Sequence, residues 1–439
     1  MKCCLSLLFL TAIVGCLVTT NADTVQINNV NELIWLFGNA TGSSTLKTDI
    51  ELLVDLDFSQ SESGFNHPLG ILFDENCVTY SGVFHGNGHT IKGIAMDTTN
   101  SVLYKHAGLF CSLKDATVEN LVIDSSCSFT GVSAGALSVS VNGSLIVTKV
   151  VSNAKVTGSE DNVGGFIGEI MSDISDITFS DCASNGVVNG NNNVGGFIGK
   201  IDSKNIKMMV SNAINKAKVS GNASIGGVIG RFENGKYDVT FSGAANSATV
   251  IGNGDHVGGL VGSIYNGSNV MTFSSVMNDA TVDTISNQFV GGFIGFIGLT
   301  TSESISFVSC VNDATVSGTD YLGGIFGMID TSPLKNITIF DFTNNANVKS
   351  TGSNAGGFVG GIYHGSCDMT ISECTNSPTV NGLGSSIGGV FGMIDGAGGL
   401  TLTISNFTNN PNIIGTENLG GLVGLLSNNY FAYMSVSNY

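Results

Sequence analysis

Arg231 is the one arginine of the chain, and Lys and Arg together number 16 against 34 Asp and Glu, a formal charge of −18. A surface so poor in cations cannot neutralise a run of phosphates, which excludes nucleic acid and anionic membranes as partners. Charged residues make up only 11% and hydrophobic ones 42%, so the chain is too apolar for a disordered segment. Proline occurs four times and tryptophan once, while glycine occurs 60 times, a composition that disfavours helix and suits short strands joined by tight turns.

Cysteine is also sparse. Of ten, Cys3, Cys4 and Cys16 fall in the stretch "MKCCLSLLFLTAIVGCLVTTNA", where Lys2 precedes an apolar run from Leu5 to Val18 and small residues end at Ala22. That pattern predicts a secretory signal peptide over 1–22, and the run is too short for a transmembrane helix. The remaining seven are too dispersed for a disulfide framework, and no CxxC pair suggests a metal. The pair favoured for a bond is Cys367 with Cys374. Six sequons, at Asn39, Asn142, Asn222, Asn266, Asn336 and Asn406, are candidate glycosylation sites.

What is present is repetition. "NVGGFIGEI" (162–170) returns in eight variants, among them "SIGGVIGRF", "FVGGFIGFI" and "NLGGLVGLL". The second glycine of each pair falls at Gly165, Gly196, Gly227, Gly259, Gly292, Gly324, Gly357, Gly389 and Gly421, in steps of 31 to 33. A lone copy would read as a phosphate-binding loop, but nine at a fixed step read as one unit of a stacked array. A second half-unit, as in "VTFSGAANSATVIG", alternates apolar and polar residues with period two and closes on a turn. Within it runs an asparagine column, Asn215, Asn246, Asn278, Asn312, Asn344, Asn376 and Asn409. Stacked about 4.8 Å apart, these amides would bond to one another and to bending backbone.

Unit length and strand content together predict an all-β fold, a parallel β-solenoid of right-handed winding, with 31–33 residues per coil. Strand alternation places Gly164, Phe166, Gly168 and Ile170 on one face and Val163, Gly165 and Ile167 on the other. The Phe166 face is expected inward, the glycines leaving room for its ring, and the Val163 and Ile167 stripe is expected to be covered core. A short helix is expected over Val30 to Gly38, inside an N-terminal cap spanning 23–79. Irregular first coils then fill 80–158, and regular repeats fill 159–439, with "FAYMSVSNY" beginning a last coil that is incomplete or closes the array.

The motifs "GVFHGNGHTIKG", "AGLF", "ATVENLVI" and the repeated Gly-Gly-apolar-apolar-Gly resemble those of the GLUG-repeat proteins, large secreted or surface proteins. The resemblance covers about 82–426 and implies a β-helical, adhesin-like surface module with no shared catalytic residues. The rival reading is a pectin-lyase-like enzyme acting on polysaccharide. Against it, paired Asp, Gly-His-Gly and Arg-Ile-Lys signatures are absent, as are GxSxG and HExxH. Asp279 and Asp313 follow the asparagine column and read as solvated charges, while His85, His89 and His106 read as turn and loop residues. The column before the Val219 and Val250 ladder, which includes Lys155, Val187, Thr249 and Asn347, is too mixed for an ice-binding lattice. The expectation is therefore a secreted or cell-surface, non-enzymatic scaffold without cofactor or metal, engaging an unknown protein or glycan.

Overall fold

The computed structural model describes residues 24–40, 45–61, 67–69, 77–101, 105–284, 288–298, 304–330, 336–363, 368–395, 400–427 and 431–438. The expected signal peptide and Cys367 lie outside them. Within them the chain is a parallel β-solenoid, with three sheets running its length. Two of the sheets hold 11 strands each, one per coil, and the third is a broad sheet of 35 strands that bends around the remaining sides.

One coil shows the plan. Val257–Gly258 pairs with Ile225–Gly226 of the coil before and with Val290 and Gly291 of the coil after, forming the Val-Gly sheet. The chain bends at Gly259 and Leu260, then runs along the broad sheet as Val261–Tyr265 and, past a corner, as Ser268–Ser274 and Met277–Asn278. Thr281–Thr284 joins the third, Val-column sheet. Register is kept from coil to coil, Val219 facing Val250, Val250 facing Val282 and Phe241 facing Phe273, up to the last strand pair of the broad sheet, where it shifts between Leu400 and Thr401. Where phenylalanine recurs at successive levels of one wall the rings stack inside, Phe241 on Phe273 at 4.8 Å and Phe273 on Phe307 at 4.7 Å between centroids. Full burial of each ring contributes roughly 1.5–3 kcal/mol.

Corners need left-handed backbone, and the sequence supplies residues that tolerate it. Asp181, Asn212, Gly243, Ser275, Ser309 and Asp341 occupy one corner with φ between 50° and 63°. Side chains in this corner bond across coils, Asn212 donating to the Asp181 carboxylate at 3.0 Å and Ser309 to that of Asp341 at 2.7 Å.

The N-terminal end is closed by helix α1 (Val30–Gly38), over the residues where the sequence predicts it. Asn29 caps it, its side chain accepting from the Glu32 N–H at 3.0 Å, while Glu32 accepts from the Asn28 N–H at 2.7 Å. Val30, Leu33 and Phe37 face the core, and the Phe37 ring lies 5.7 Å from Tyr80 and 5.9 Å from Phe110. Parallel pairing begins within this region, at Val25–Ile27 against Ile50–Leu52.

Two details differ from the sequence reading. The Phe166 and Val163 faces do not part into inside and outside: Val163, Phe166, Ile167 and Ile170 are all buried. The alternation argument assumes one straight strand, whereas Val163–Gly164 and Ile167–Ser180 belong to different sheets separated by a bend. The stripe is thus core, as expected, although the geometric premise is not. The favoured cysteine pair also fails, because Cys374 is a buried free thiol whose Sγ turns to the carbonyls of Ser372 and Ile339. The disulfide present joins Cys77 to Cys111.

Candidate functional surfaces

The repeat glycines and the asparagine column form one structure. Asn215, Asn246, Asn278, Asn312, Asn344 and Asn376 are fully buried, and each side-chain amide donates to the next asparagine, at 2.8 to 3.2 Å. From Asn278 onward each also donates to the carbonyl of the second glycine of a neighbouring unit, Asn278 to Gly292 and Asn312 to Gly324, both at 2.8 Å. A Cβ at Gly259 would lie 2.0 Å from the Gly292 carbonyl oxygen and 2.5 Å from the Asn278 amide. The space that these glycines leave is filled by the adjoining coil's backbone and the asparagine amides, not by the Phe166 ring. Gly165, Gly196, Gly227, Gly324 and Gly357 repeat the close approach to the next coil, and Gly389 meets Gly421 in the same way. Gly421 itself has nothing within 4 Å.

From the coil of Val163–Gly164 onward, the residue before each Val-Gly pair is left-handed. It is Asn162, Asn193 and Ser224 in early coils, then His256, Phe289 and Tyr321, all with φ between 55° and 67°. Left-handed backbone is uncommon for bulky side chains, so Phe289 and Tyr321 store strain. These rings stack, His256 on Phe289 and Phe289 on Tyr321, each at 5.3 Å, and they lean on Phe296 and Tyr265. Burial lowers the His256 pKa to about 4, leaving a neutral imidazole beside the Tyr265 hydroxyl at 3.2 Å.

Next to this ridge the charged residues form a network. Lys200 lies 3.0 Å from Asp202, 3.2 Å from Glu233 and 3.4 Å from Glu169. Burial alone would push the ammonium pKa down, but the three carboxylates outweigh it and raise the pKa. Arg231 bonds Glu233 at 2.6 Å and covers the Tyr265 ring at 4.4 Å. Each cation is thus held by carboxylate partners.

The other singled-out residues are dispersed. His85 pairs with Glu119 at 2.7 Å and His89 with Asp55 at 3.2 Å, while His106 belongs to the Val-Gly sheet, so the three histidines do not meet. The backbone N–H of Thr90, then His89, holds the Asp55 carboxyl below its ordinary pKa. Asp279 and Asp313 are exposed on successive coils, and Asn345 donates to Asp313. All six sequon asparagines are exposed. Among the described residues no group of three or more His, Cys, Asp or Glu is placed to hold a metal ion, and no helix is long and apolar enough to cross a membrane.

No model of a known protein family, no curated protein and no solved structure matches the chain.

Proposed function

We propose that the protein is a secreted or cell-surface scaffold of the adhesin-like GLUG type, non-enzymatic, whose walls are interaction surfaces. The observation that carries this reading is the register kept from coil to coil: a stack of coils held by repeated ladders is rigid and long, and presents the same wall position at successive levels. The repeat motifs resembling those of surface proteins support it. So does the Cys77–Cys111 disulfide, a bond that persists in oxidising compartments, as does the signal-like segment at 1–22.

Two measurements test it. Tagged full-length protein is expected on intact cells or in the medium, and retention in the cytosol would overturn the location. Purified protein incubated with neutral and acidic polysaccharides is expected to release neither reducing ends nor unsaturated products; robust turnover would overturn the non-enzymatic role in favour of a carbohydrate-active enzyme.

A further inference from the structure

One wall of the broad sheet carries two adjacent columns of outward side chains. The first includes Thr178, Thr240 and Thr272 and ends at Ser435; the second includes Ser180, Ser211 and Ser242 and ends at Ser437. The columns stay in register over ten coils, so neighbours within a column stand about 4.8 Å apart and the columns about 7 Å apart. Of the twenty positions, Ile146, Met209, Val308 and Phe340 alone lack a hydroxyl, and none carries a charge, so the strip is a neutral polar surface on a strongly acidic protein.

We propose that this wall binds an uncharged, extended polysaccharide laid along the solenoid axis. The proposal deepens the scaffold reading, on which it rests for binding without turnover. Apart from Thr148 and Ser180, which bond to each other at 3.0 Å, the column hydroxyls make no hydrogen bond among the described residues. Each is therefore free to donate and to accept, which is what sugar hydroxyls require. A linear chain of linked pyranose rings advances by about one coil spacing per ring, so successive sugars meet equivalent hydroxyls at successive levels.

Two further features select this occupant. The net charge of −18, with Asp176 and Asp181 bordering the columns, repels a polyanion. Met209 and Phe340, 47% and 43% exposed, rise from the strip, and Tyr433, 60% exposed, stands beside its end. Such protrusions hold off a planar lattice such as ice, whereas a sugar ring lays its C–H face on an aromatic ring while its hydroxyls reach the columns. Val308, beside Phe340, widens that apolar step.

The test is affinity electrophoresis of the full chain, produced without N-glycans because Asn336 stands at the edge of the strip, in gels containing hydroxyethylcellulose, glucomannan, laminarin or polygalacturonate. Retardation is expected by at least one neutral polymer and not by polygalacturonate. Replacing the column threonines together (T240V, T272V, T370V and T403V) is expected to weaken binding at least tenfold, and Phe340→Ala to weaken it likewise. The matched control on the Val-column sheet (T249V, T281V, T315V and T379V) is expected to bind as wild type, with circular dichroism confirming the fold of each. No retardation by any neutral polymer, equal loss in both quadruple variants, or equal retardation by polygalacturonate would overturn the proposal. Inhibition of ice recrystallisation without polysaccharide binding would do the same, making ordered water the occupant. Product release by a protein that still needs the column threonines would instead sink the scaffold reading and leave the ligand class standing.

Discussion

The side-chain amide of Asn278 donates to the carbonyl of Gly292, 2.8 Å away on the next coil, and the same amide donates to Asn312 at 3.2 Å. One buried side chain thus satisfies a bending backbone and links two levels, and the pattern recurs down the column.

Asn312→Asp tests that link. It keeps the shape but replaces the donor with a carboxylate, facing the Gly324 carbonyl and the Asn344 amide oxygen that Asn312 now serves. Loss of a buried donor and burial of a charge are expected to cost about 3 kcal/mol or more, read as a lowered denaturant midpoint. Asn312→Ala is expected to cost less than Asn312→Asp. The reverse order would show that charge burial is not the main penalty.

Gly259→Ala and Gly421→Ala change the same motif position in two settings. The first drives a Cβ to 2.0 Å from the Gly292 oxygen, while at the second nothing lies within 4 Å. The expected losses are roughly 3 kcal/mol and under about 0.5 kcal/mol. Similar midpoints for the two variants would show that the glycine column is not a steric requirement.

His256 makes stability depend on pH. Its folded pKa, lowered by burial to about 4, lies below the unfolded value of 6.5, so the unfolded chain binds the proton more readily in between. The neutral ring's contribution is complete above pH 6.5 and is lost as pH falls toward 4, by at most about 3 kcal/mol. Denaturation of His256→Gln across that window is expected to show a shallower decline than wild type; parallel curves would contradict the burial of the imidazole.

Cys127, Cys182, Cys310 and Cys374 are buried, and burial pushes each thiol up to about 11. Alkylation of the native protein at pH 8 followed by peptide mapping should leave all four unmodified until denaturant is added. Reduction of Cys77–Cys111, which closes a loop with a sequence separation of 34, is expected to destabilise the first coils by about 4 kcal/mol. Rapid labelling of Cys310 in the folded state would refute its place in the core.

Period and composition sufficed for the solenoid, its coil length and α1, since each follows from local pattern. The inside of the repeat was less legible. Alternation set Val163 and Phe166 on opposite faces although both are core, because the bend at Gly165 and Phe166 moves the chain between sheets, and period-two reasoning carries no information about a bend. The disulfide follows coil arithmetic rather than nearness in sequence: Cys77 and Cys111 are separated by 34, close to one coil, and so sit level with each other. The hydroxyl columns have a signal in the recurring "TFS", whereas the column before the Val ladder lies on another sheet, where Lys155, Val187 and Asn347 break the pattern. Which outward column is regular depends on where the corners fall, and those are set by left-handed residues such as Asp181 and Asn212.

The constant register has a consequence for how such a chain can change over generations. Gly227 and Gly259 occupy equivalent places one coil apart, so deleting the 32 residues from 228 to 259 would join Gly227 to Leu260 with each ladder still meeting its own kind. Duplication works in the same way. A gene can therefore gain or lose whole coils in single events without composing a new interior, and length becomes a trait that selection adjusts in discrete steps.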